Sequence, residues 1–200
     1  MRYTSAMRLL WVVPLAFCLL TPGAFAQAED VAVAPKLTPH QLRDDTLDRL
    51  FARLQRASSE DDAKLTEQKI WEMWSQSDSV TADVLLNQAV VAMNSGDNKS
   101  SFNILNRVIK IYPDYAEAWN KRATLNYMIG RYDESLADID KVLDLEPRHF
   151  GALSGRGMIY QAQEKWGDAL DAFREALKIN PNMSAVKNAI HELEKRQRAL

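Results

Sequence analysis

Proline recurs at Pro113, Pro147 and Pro181, at intervals of 34 residues, and that period constrains the fold more than any other feature of the chain. The same offset aligns Leu85 with Trp119 and Leu153, Ala89 with Ala123 and Gly157, Ser101 with Ser135 and Ala169, and Gly96 with Gly130. Small residues in register are what two helices need where their axes approach closely, and Leu105, Ile139 and Phe173 supply bulk beside them. Proline lacks an amide proton and restricts the residue before it, so each one ends a helix and lets the next begin. A repeat of this length predicts stacked helix pairs, each burying its apolar face against the next.

Three units follow, 82–115, 116–149 and 150–183, within a segment spanning 78–183. A bulky apolar residue, a small residue four later, a turn, a second small residue and a closing proline resemble the tetratricopeptide repeat (TPR). The middle unit, AEAWNKRATLNYMIGRYDESLADIDKVLDLEP, carries the pattern most fully, and Tyr160 keeps the aromatic of the consensus in the third. The resemblance implies an all-α TPR superhelix, a solenoid of antiparallel helix pairs. Several phrases, AEAWNKRAT and LEPRHFGALSGRG among them, are similar to those of exported bacterial TPR proteins. Asp114 and Glu117 are positioned for a capping box at the start of the middle unit.

TPR proteins, by the same resemblance, generally bind a peptide or protein in the concave groove lined by the first helix of each pair. Carried over slot by slot, the groove candidates are Asp83, Leu86, Asn87, Val90 and Met93 in the first unit. The second contributes Glu117, Asn120, Lys121, Thr124 and Met128, and the third Gly151, Ser154, Gly155, Met158 and Gln161. Gly151, Ser154, Gly155 and Met158 follow the spacing of one helix face, which places the deepest part of the groove at the third unit. TPR domains that grip a C-terminal carboxylate use Lys and Asn there, and Asn120 and Lys121 are the pair suggestive of it.

Outside the repeats, the first 26 residues read as a secretory signal peptide. Arg2 and Arg8 precede an apolar run from Leu9 to Leu20, and Ala24-Phe25-Ala26 forms a small-x-small cleavage site. The run is too short for a span of roughly 20 residues, so no stable membrane span is expected after cleavage. Residues 27–37 read as a flexible tether. Residues 38–77 read as an N-terminal helical hairpin, opened by a Thr38–Gln41 capping box; the markers leave open a degenerate fourth repeat or an independent pair. Ile70, Trp71, Met73 and Trp74 read as its core. Val186, Ala189, Ile190 and Leu193 define an amphipathic C-terminal capping helix over 184–200.

Chemistry is sparse. His40, His149 and His191 are scattered, phosphate-loop and metalloprotease patterns are absent, and the single cysteine, Cys18, lies in the signal segment. Asp138, Asp140, Asp144 and Glu146 read as solvated helix charges rather than a cation site, and Arg148-His149 as turn or capping residues. Removing Arg2 and Arg8 leaves 23 basic against 27 acidic residues, too little positive charge for a nucleic-acid partner. The expectation is a non-enzymatic, cofactor-free interaction module of the bacterial periplasm, with an unidentified protein or peptide partner. A self-associating scaffold of the cell envelope is the alternative, and behind it an enzyme with an unrecognised site.

Overall fold

A computed structural model describes residues 38–198; the signal and tether expectations for 1–26 and 27–37 lie outside them. The described residues form nine helices and no strand: α1 (Pro39–Gln55), α2 (Glu60–Trp74), α3 (Val80–Asn94), α4 (Asn98–Ile111), α5 (Ala116–Met128), α6 (Tyr132–Leu145), α7 (Phe150–Ala162), α8 (Trp166–Ile179) and α9 (Ser184–Arg198). None is long and apolar enough to cross a membrane.

Local chemistry sets the helix ends. The Thr38 amide donates to Gln41 Oε1 at 2.9 Å and the Gln41 amide to Thr38 Oγ1 at 3.2 Å, completing the capping box of α1. Ser59, Ser79 and Asp97 accept from the first turns of α2, α3 and α4. Between the helices of each pair the chain turns through one left-handed residue. Gly96 (φ 79°) and Gly130 (φ 77°) serve in the first two units, and Glu164 (φ 60°) takes the equivalent place in the third. The middle unit departs from expectation: the residue before α5, Tyr115, makes no side-chain capping bond, and Glu117 turns inward to other partners.

Helices α3–α4, α5–α6 and α7–α8 pack as pairs around the small residues in register. Ala89 and Ala123 are buried, as are Ser101, Ser135 and Ala169. A Cβ on Gly157 would stand 2.5 Å from the Phe173 ring, so only glycine lets α7 and α8 approach this closely. Each pair also completes its neighbour's core. Tyr115, Ala118 and Leu125 of the α5 segment join the α3–α4 cluster, and Ala152 and Ile159 of α7 join the α5–α6 cluster. Trp119 bridges the first two clusters but stays partly exposed, its indole N–H donating to the Pro113 carbonyl at 2.8 Å and its ring beneath Arg122. At the far end α9 lays Val186 and Leu193 on α8.

The N-terminal hairpin packs differently from a fourth repeat at the head of the stack. Its core residues Leu47, Phe51, Leu54, Ile70 and Trp74 share a cluster with Phe150, Ile179 and Met183 of the third unit and its exit. Side chains then tie it to the junctions between units. Gln55 donates to the Lys178 and Ile179 carbonyls at 2.6 and 2.7 Å, Asn182 donates to the Leu54 carbonyl at 2.9 Å, and Arg148 pairs with Asp48. Hydrophobic and aromatic matching at Phe150, rather than the sequence order of the units, therefore decides where the hairpin lies.

Candidate functional site

The leading helices of the second and third units, α5 and α7, present their inner faces to one another, and Trp71 and Trp74 of α2 close one end of the space between them. His149 organises this end. Its Nδ1 accepts from the Ala152 amide at 3.0 Å, capping α7, which leaves the proton on Nε2 to donate to Glu117 Oε2 at 3.2 Å. The imidazole stacks on Trp74, and the Trp71 ring meets both His149 and Phe150 edge-on.

Glu117 is fully buried. Besides the contact with His149, it accepts from Asn120 Nδ2 at 3.0 Å and pairs with Lys121 Nζ at 2.7 Å. Burial works to raise its pKa, but the hydrogen bond from His149 and the charge of Lys121 outweigh it and hold the carboxyl below the usual range. Lys121 also stands 5.6 Å from the centre of the Trp71 ring. The Asn–Lys pair that could grip a ligand's carboxylate is thus already holding one from its own helix.

Past this cluster the groove is open. A pocket of about 200 Å³ is bounded by Asn120 and Thr124 of α5 and by Gly151, Ser154, Gly155 and Met158 of α7, six of the residues identified from the sequence. Tyr127, Ile139, Ile159 and Met183 also line it, with the small residues Ala123, Ser135 and Ala152. Ile139 forms the floor beneath Gly155, where a Cβ would sit 3.6 Å from Ile139 Cδ1. Gly151 borders the aromatic end: a Cβ there would meet Trp71 at 2.5 Å, so the protein's own hairpin takes this slot. The lining carries no charged side chain, and its mixture of apolar and small polar groups suits an uncharged side chain.

The remaining candidates separate from this pocket. Leu86, expected in the groove, is buried with Ala82, Ala89 and Leu105 because the first unit needs it for its core, as it does Met93. Asn87 and Val90 lie on α3 outside the pocket, Asp83 accepts from Ser77, and Met128 is exposed at the end of α5. Met183 is not among the groove candidates, because it enters from the connection into α9 rather than from a leading helix. A larger cleft of about 590 Å³ lies by the N-terminal half of α1, but its Tyr112, Tyr115 and Glu146 are engaged with Ser79, Ser75 and Trp74. Of the acidic residues expected to be solvated, Asp138 pairs with Arg122, Asp140 with Arg156, Asp144 with Lys141 and Glu146 with Arg148. Asp138 departs from that expectation, because its bond to Arg122 lets it sit buried between α5 and α6.

Helix pairs in tandem, with leading helices lining one groove, define a helical-repeat protein of the solenoid class. Models of the tetratricopeptide repeat match residues 86–144 and 151–183. A TPR repeat-containing protein of Rhizobium etli is 37% identical over 182 residues, spanning 88% of this chain and 89% of its own length. Rat sperm-associated antigen 1 is 32% identical over 52% of this chain, a stretch that is 12% of that protein. Among solved structures, the first TPR of Spaghetti (RPAP3) bound to an HSP90 peptide superposes with a TM-score of 0.57 at 18% identity, over 60% of this chain and 96% of that one. MamA superposes with a TM-score of 0.55 at 15% identity, over 81% of this chain and 86% of its own. The chain belongs to the TPR family.

Proposed function

We propose that this protein is a non-catalytic interaction module that binds an extended segment of a protein partner in the open part of its concave groove, outside the cytoplasm. The observation that carries the reading is the uncharged pocket in which Asn120, Thr124, Ser154, Gly155 and Met158 converge. It accepts one apolar or small polar side chain, while the helices on either side offer surface along which a peptide backbone can run. The peptide-bound RPAP3 structure supports peptide recognition on this fold. The partner's contact differs from capture of a terminal carboxylate, because Asn120 and Lys121 are committed to Glu117.

A photo-crosslinking residue placed at Met158 in intact cells tests this, compared with one at exposed Glu175 on α8. The reading expects a discrete protein adduct from position 158 and none from 175. Equal labelling, or none from either, contradicts it. Export rests on the sequence alone, on Arg2, Arg8, the apolar run and Ala24-Phe25-Ala26. Intact-mass measurement of the protein recovered from outside the cytoplasm should find Gln27 at the N-terminus; a chain retaining residues 1–26 contradicts it.

A further inference from the structure

The open face of α3 has the composition of an interior surface. Val84 is 49% exposed and Val91, two turns on, 68%, and Val80, one turn before Val84, is 80% exposed. One and two units along, the position of Val84 is filled by Ala118 and Ala152, at 0% and 1%, and that of Val91 by Leu125 and Ile159, also at 0% and 1%. Those counterparts are buried because a preceding helix pair covers them. Unit one has the same apolar positions and, among the described residues, no helix pair over them, since the hairpin that precedes it in sequence packs instead against Phe150, Ile179 and Met183.

We infer that this face of α3, centred on Val84 and Val91, pairs with α3 of a second copy of the chain about a two-fold axis. The two ends of the stack are chemically unlike. The outward face of α9 carries exposed Lys187, Asn188, His191, Glu192 and Lys195, so head-to-tail stacking would set valines against charge. Head-to-head pairing sets valine against valine, and it closes after two copies rather than growing into a filament. Like-charge repulsion does not oppose it. The exposed neighbours of the stripe, Thr81, Asn87, Gln88 and Ser95, are neutral, and the carboxylate of Asp83 is held by the Ser77 amide and hydroxyl at 2.8 and 2.7 Å.

The extent of the face sets the strength. A helix of 15 residues presents a strip about 22 Å long and about 10 Å wide, well short of the roughly 800 Å² per partner of a standard stable interface. The dimer is therefore reversible and grows with concentration. It leaves the groove between α5 and α7 free, so it is independent of the reading of that groove.

Light scattering coupled to size exclusion, run on the full chain over a hundredfold concentration range, tests the inference. The mass should rise toward that of two chains. Val84→Glu and Val91→Glu should each hold it at one chain, with helicity and melting temperature unchanged because both sites are exposed. Met158→Glu in the groove and Lys187→Glu on α9 should leave the association intact. A protein that stays at one chain throughout overturns the inference. So does association that survives both valine substitutions, or that is abolished by the groove or α9 substitution instead.

Discussion

The imidazole of His149 lies flat against the indole of Trp74, ring centres 4.1 Å apart and planes 11° from parallel. One residue comes from the junction before the third repeat and the other from the end of the N-terminal hairpin. Their contact fastens the hairpin across one end of the groove, leaving the pocket at Gly155 as the open part.

Trp74→Ala should release the hairpin while sparing the repeats. Truncating a buried aromatic costs about 3 to 5 kcal/mol, and in a repeat protein that loss falls on the nearest interface first. Hydrogen exchange should show lost protection in α1 and α2 with protection in α5 to α8 kept. Uniform loss through the chain would mean that the hairpin and the stack are one cooperative unit.

Glu117 makes stability pH-dependent in a defined direction. Its folded pKa lies below the ordinary value of 4.5, so its contribution is complete above that value and is lost as pH falls through the lower, folded one. Glu117→Gln removes the titration. Denaturant melts between neutral pH and acid should show the parent losing stability faster than the variant below about pH 4.5. Parallel profiles would show that Glu117 is not held by His149 and Lys121.

Gly155 and Gly157 should respond oppositely to alanine. At Gly155 the added methyl makes ordinary contact with Ile139, and alanine gains about 1 kcal/mol of helix propensity. At Gly157 it drives into the Phe173 ring, and overpacking of that kind costs about 1 to 3 kcal/mol. Thermal melts of the two variants should move in opposite directions.

Glu164 holds a left-handed backbone conformation that Gly96 and Gly130 hold in the other units. Because such a conformation costs an L-residue roughly 1 to 2 kcal/mol, part of it offset by glycine's greater freedom when unfolded, Glu164→Gly should stabilise by about 0.5 to 1 kcal/mol. A fall in melting temperature would contradict the repeat register there.

The repeat period made the stacking legible because each marker does its work against a neighbour at fixed distance in the chain. Gly157 against Phe173 is such a contact, and so is the alignment of Ser154, Gly155 and Met158 on one face of α7. Positions serving two demands were less legible. Leu86 sits in a groove slot but fills a core that the first unit could not otherwise close, and Glu117 exchanges a cap for a buried pairing. The hairpin's place was illegible for another reason. Leu47, Phe51, Ile70 and Trp74 specify that a face is buried but not against what, and Phe150, Ile179 and Met183 lie some 80 to 130 residues away in the chain.

The central claim, that a partner enters the pocket above Ile139, is tested most directly by Gly155→Leu carrying the photo-crosslinking residue at position 158. The account predicts that the partner adduct seen in the parent falls at least several-fold while circular dichroism and melting show the fold retained. An undiminished adduct from a folded Gly155→Leu protein would contradict it.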